Sequence, residues 1–132
     1  MIFIDTGAFI ARYIADDQYH EKALEGWDKL PKDFKFVYTS NFVIDETITL
    51  LARKTSVDFA VNKASIIYQS GFLKILRPIE DDEKKAIAVM TKYLDQKLSY
   101  TDCISFVLMK KNNLKTYFGY DSHFSTFGFE KY

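Results

Sequence analysis

Apolar and polar positions along this chain switch repeatedly between two periods. "MIFI" at the start is a short unbroken apolar run, which suits a buried strand. Helical spacing follows from Thr6 to about Ile14. "DDQYHEKALEGWDKL" repeats that spacing through Tyr19, Ala23, Leu24, Trp27 and Leu30. This helix is predicted to stop before Pro31, because a proline ring restricts the residue ahead of it. "FKFVYTS" reads as a second strand ending in Thr39 and Ser40, both natural caps for the helix "NFVIDETITLLARK". Ser56 opens a further helix that Gly71 closes, and "FLKILRP" is a third strand cut off by Pro78. "EDDEKKAIAVMTKYLDQK" is predicted to be one long helix whose acidic first turn suits its dipole. "SYTDCISFVLMKK" is another, ending near Asn112 and Asn113. "KTYFGYD" is strand-like, and "SHFSTFGFEKY" has room for one turn and a last strand at Phe129. Strands alternating with helices predict an α/β fold, a parallel sheet covered on both faces.

Composition narrows the picture. The chain has 132 residues, the size of one domain able to bury a real core, and its 48% hydrophobic content excludes disorder. With 18 basic and 18 acidic residues it cannot hold nucleic acid through bulk positive charge, which leaves room for a local basic rim. The single cysteine, Cys103, can form no internal disulfide, and no apolar stretch is long enough to span a membrane. A soluble, cytoplasmic protein is expected.

Four acidic residues stand where such a fold places its sites. Asp5 and Asp121 each follow a β-rich run, Asp102 begins a helix, and Glu46 lies within two turns of a helix start. Strand carboxyl ends and the helix starts that follow them share one edge of a doubly wound sheet, so all four can meet in one cleft. Clustered carboxylates raise one another's pKa unless a cation compensates, and hard oxygen ligands suit Mg²⁺ or Mn²⁺. Each acid also has a plain structural reading. Asp5 and Asp121 could cap helices, and Ser99 with Asp102 spells a capping box. Glu46 could be solvated, with Asp45 an equally good ligand candidate. At ~100° per residue, Glu46 falls about 120° from the centre of its helix's apolar face and Asp45 about 140°.

The segments "FIDTGAFIA", "TSNFVIDETITLL", "YTDCISFVLMKK" and "FGYDSHFSTFGF", in this order and spacing, resemble the PIN-domain ribonucleases, and among them the VapC-type toxins of toxin–antitoxin pairs. The likeness spans nearly the whole chain. It implies a three-layer α/β/α sandwich with a central parallel sheet over residues 1–132. It also implies a Mg²⁺-dependent ribonuclease, with Mn²⁺ able to substitute. Catalytic and metal-ligand roles carry over onto Asp5, Glu46, Asp102 and Asp121, and a supporting hydroxyl onto Thr6. The implied reaction is phosphodiester hydrolysis by an activated water, leaving a 3′-hydroxyl and a 5′-phosphate. A homodimer and a VapB-like antitoxin are the implied partners. In one place the chain departs from the family: T-x-D frequently precedes the last acid, where this chain has Gly119, Tyr120 and Asp121.

Other residues carry weaker signals. His20 and His123 have no ligand spacing, although His123 is two residues from Asp121 and within reach of a substrate there. Cys103 reads as a small core residue. Arg12, Lys54, Lys110 and Lys111 are candidates for a phosphate-binding rim. The twelve Phe, nine Tyr and one Trp exceed what a small core readily encloses, which suggests either an aromatic interface or a dense aromatic core. Competing functions are an RNA-maturation or decay nuclease outside a toxin–antitoxin pair and a non-catalytic PIN-like binding module. A haloacid dehalogenase-type phosphotransferase is disfavoured because its strand-end D-x-D is missing: the chain reads Asp5, Thr6, Gly7.

Overall fold

A computed structural model describes residues 1–132. The chain runs β1 (Ile2–Ile4), α1 (Thr6–Tyr13), α2 (His20–Asp33), β2 (Val37–Ser40), α3 (Asn41–Lys54), α4 (Val57–Gln69), β3 (Leu73–Leu76), α5 (Glu80–Lys92), α6 (Tyr100–Lys111), β4 (Thr116–Phe118), α7 (His123–Thr126) and β5 (Glu130–Lys131). A 3₁₀ turn over Leu94–Gln96 joins α5 to α6. The five strands form one sheet in the order β3-β2-β1-β4-β5, and every neighbouring pair is parallel. This is the expected α/β/α sandwich. Its central strand β1 is wholly buried, as a strand covered on both faces must be.

The order of the strands sets the position of the site. β1 has β2 on one side and β4 on the other, so the chain reverses its winding direction at β1. Open α/β sheets have a crevice at such a point, outside the strands' carboxyl ends. Register places Ile4 beside Phe118, and the Asp5 N–H donates to the Phe118 carbonyl at 2.9 Å, so the ends of β1 and β4 are locked together.

Part of the aromatic excess forms a dense core. Tyr117, Phe3, Phe9, Phe106 and Phe124 are fully buried, and Phe106 alone contacts the rings of Phe124, Phe127 and Phe129. Tyr68 is the one aromatic among the exposed large apolar side chains. Most of the remaining aromatic rings, Tyr19, Tyr100 and Tyr120 among them, are half-buried.

Three element boundaries differ from the sequence expectation. α2 begins only at His20, because the Asp17 carboxylate captures the Tyr19 N–H at 2.8 Å and holds residues 17–19 in a turn. α2 also runs through Pro31 to Asp33. The proline deletes one donor in the last turn, and the Phe34 N–H still closes that turn onto the Leu30 carbonyl. The long acidic helix stops at Lys92 instead of reaching Lys97, where Tyr93 leaves helical geometry to set its ring edge-on against Phe127.

Candidate metal centre

A cleft of about 370 Å³ opens at the carboxyl ends of β1 and β4. Asp5, Thr6, Glu46, Asp102 and Asp121 all line it, together with Gly7, Ile10, Asp17, Gln18, Tyr19, Leu50 and Tyr120. Asp45 is exposed outside it.

Asp5 stands at the N-cap position of α1, yet its side chain makes no capping hydrogen bond. It is only 5% exposed. Burial pushes its carboxyl up to about 8; the Thr6 amide opposes this, and the charges of Asp102, Glu46 and Asp121 add to it. A helix cap would do the reverse, since it gains from being ionised. Beside Asp5, the Thr6 hydroxyl is buried and has no hydrogen-bond partner within the protein.

Asp102 is a helix-capping residue that also lines the cleft. Its Oδ2 accepts from the Ser99 N–H while the Ser99 hydroxyl accepts from the Asp102 N–H, completing the capping box of α6. Burial, followed by the charges of Asp121 and Glu46, raises its pKa against the opposing Ser99 contacts. Glu46 arrives on α3, whose start is fixed by the Ser40 hydroxyl accepting from the Val43 N–H at 3.1 Å.

Asp121 is held by the neighbour that sequence reasoning underweighted. Its Oδ1 accepts from the His123 N–H at 2.9 Å and lies 2.8 Å from the His123 Nδ1. His123 thus turns Asp121 so that Oδ2 is free. Potential ligand atoms of Asp102, Asp121 and His123 lie within 4.8 Å of one another; Asp5 and Glu46 line the same cleft but stand outside that close group. The D-x-H spacing after a strand was the available signal.

Gly119 accounts for the departure from T-x-D. A Cβ at this position would lie 2.9 Å from the Asp5 Cβ and 3.2 Å from its Oδ2. The bare backbone here is what gives the Asp5 side chain its place.

Several expected contributors lie elsewhere. The Arg12 guanidinium stacks on Trp27 at 4.3 Å, Lys111 pairs with Asp82 at 2.9 Å, and neither Lys54 nor Lys110 lines the cleft. His20 Nδ1 lies 2.7 Å from the Ala11 carbonyl and ties α2 to α1. Cys103 is buried, and burial followed by the Asp102 charge pushes its thiol up to about 11, so it is an inert core residue. No lysine or arginine lines the cleft at all.

The donor set fits a hard divalent cation. Every one of the four carboxylates offers at least one oxygen with no hydrogen-bond partner, and the group carries more negative charge than a half-buried site sustains alone.

A family model of the PIN domain matches residues 2–130. The chain is 33% identical over 129 residues to the 23S rRNA-specific endonuclease VapC20 of Mycobacterium tuberculosis, covering 98% of this chain and 95% of that protein. The crystal structure of VapC20, described as a Sarcin-Ricin loop cleaving toxin, superposes with a TM-score of 0.90 at 31% identity, covering 98% of this chain and 96% of the other. FitAcB from Neisseria gonorrhoeae shares the fold at 16% identity, with a TM-score of 0.73 over 100% of this chain and 96% of that one. A toxin–antitoxin complex from Klebsiella pneumoniae does so at 16% identity, with a TM-score of 0.60 over 92% and 88% of the two chains.

Proposed function

Because this chain belongs to the PIN-domain family, we propose that it is a Mg²⁺- or Mn²⁺-dependent endoribonuclease and the toxin of a type II toxin–antitoxin pair. The observation that carries the reading is the convergence of Asp5, Glu46, Asp102 and Asp121 on one cleft at the winding reversal of the sheet. These four residues would hold the cation, which when bound activates water and offsets charge on the phosphate oxygens. Each residue has a distinct share in the work. The burial of Asp5 makes its ionised form depend on a cation, so the site charges up as it fills. The Ser99 amide orients Asp102, and His123 orients Asp121. The unpartnered Thr6 hydroxyl can donate to a phosphate oxygen or a water in the cleft. Water attacks phosphorus, the bond to the 3′-oxygen breaks, and a 5′-phosphate and a 3′-hydroxyl are left.

Likeness to VapC20 makes 23S rRNA the first substrate to test. A cytoplasmic site of action, a homodimer and a small antitoxin whose tail crosses the cleft complete the proposal. No helix is long and apolar enough to cross a membrane. The test is to incubate purified protein with ribosomal RNA in Mg²⁺, Mn²⁺ or EDTA, beside an Asp5→Asn variant. Cleavage with either metal, abolished by EDTA, is expected. Asp5→Asn should lose more than the roughly 10- to 100-fold that removal of a residue supporting a metal ligand costs. A parent protein that leaves every RNA intact overturns the reading and favours a binding module.

A further inference from the structure

A nuclease must attract a polyanion, yet its cleft here carries Asp5, Asp17, Glu46, Asp102 and Asp121 and no cationic side chain. A bound divalent ion neutralises only part of this. The missing positive charge lies across a single side chain. Tyr120 borders the carboxylate cleft on one side and a second groove, of about 380 Å³, on the other. That groove runs between α2 and the β4–β5 end of the sheet, and Lys22, Lys29 and Lys131 line it.

Three features mark these lysines as available. None of them has a carboxylate within 4.0 Å, a state they share with most lysines of the chain, since only Lys84, Lys85 and Lys111 are paired. Of the two acids in the groove, Asp33 accepts from the Tyr132 hydroxyl at 2.6 Å, which leaves Glu25 as the one unengaged carboxylate. Lys22 and Lys29 are seven residues apart on one face of α2, about 10.5 Å along the helix axis, and so trace a line and not a point. Lys131 faces them from β5, with its ammonium 5.1 Å from the centre of the Tyr120 ring. Tyr120 in turn stacks flat on Tyr19, with centroids 4.2 Å apart and planes within 1°. Tyr120 is the one residue that lines both the groove and the carboxylate cleft.

Resting on the nuclease reading above, we infer that the α2–β5 groove is the track for the RNA strand flanking the cleaved bond. Lys22, Lys29 and Lys131 meet its phosphates, and the stacked Tyr19–Tyr120 pair directs it into the carboxylate cleft. Recognition of this kind is through the backbone and independent of sequence.

The test is the triple variant Lys22→Gln, Lys29→Gln, Lys131→Gln, all at exposed positions. In an Asp5→Asn background, which keeps RNA intact, affinity for a fluorescein-labelled single-stranded RNA is read by anisotropy across a salt series. The triple variant should bind roughly tenfold or more weakly, and the slope of log K against log salt should fall by about 2 for three lost phosphate contacts. With Asp5 restored, KM for RNA should rise while kcat is retained. Lys84→Gln, Lys85→Gln, Lys92→Gln on α5 is the control and should change none of these. If the parent cleaves RNA and the triple variant matches it in affinity, slope and KM, the track is overturned and the nuclease reading stands. If the parent cleaves no RNA, both fall together.

Discussion

At Asp5 the fold holds a carboxylate that burial and its acidic neighbours disfavour as an ion, with only the Thr6 amide opposing them. A carboxyl raised from 3.8 to about 8 binds its proton more tightly folded than unfolded. Its stabilising effect is therefore complete below about pH 4 and is lost as pH rises toward 8. The cation-free protein should accordingly melt at a higher temperature near pH 5 than near pH 8. In Asp5→Asn that difference should shrink, and at pH 8 the variant should be at least as stable as the parent. Thermal melts across this range check both statements; a slope unchanged by the substitution would remove Asp5 as its source. Gly119 provides a second residue-scale prediction. Gly119→Ala places a methyl group 2.9 Å from the Asp5 Cβ, so Asp5 must move. Divalent-ion affinity should drop roughly 10- to 100-fold, as for other residues that position a ligand. Calorimetric titration with Mn²⁺ measures it.

Among the elements, α2 shows how closely packing and function are joined. Gly26 lets this helix lie directly on β4, because a Cβ there would come within 2.5 Å of the Phe118 Cζ. The Phe118 ring has little freedom to yield, with Trp27 at 5.7 Å and Tyr132 at 5.6 Å. Gly26→Ala should cost about 1–3 kcal/mol by overpacking, against a gain of at most ~1 kcal/mol in helix propensity. Chemical denaturation would read a net loss of stability. The same contact forms the floor of the lysine groove, so lifting α2 off the sheet should weaken RNA binding as well.

For the whole molecule, the relevant property is that four separate elements must fold together before the carboxylates meet. A cation that binds only this assembled state stabilises the entire fold by linkage, about 2.7 kcal/mol at a hundredfold excess over its Kd. Mn²⁺ should therefore raise the melting temperature of the parent substantially and that of Asp5→Asn much less. Equal shifts in the two proteins would show that the ion binds elsewhere.

Much of this was legible along the chain because the causes are local. The apolar runs, the caps Ser40, Ser56 and Ser99, and an acid at the end of a strand all depend on neighbours a few residues away. They were enough to define the alternating elements and to single out Asp5, Asp102 and Asp121, whereas the choice of Glu46 over Asp45 came from the family resemblance. The exceptions to the local rules were decided by distant packing: α2 passing through Pro31, and Tyr93 ending α5 against Phe127. Only the tertiary structure could place β4 beside β1, since strand order depends on which long crossover is taken and not on the strands themselves. That choice brings Asp121 to Asp5 and seats Gly119 against it. It also puts Lys131 opposite Lys22 and Lys29, more than a hundred residues away in the chain. No local pattern marks those three lysines, because an unpaired surface lysine looks the same in sequence wherever it lies. What distinguishes them is a shared groove wall, and that wall exists only once α2 has packed on β4.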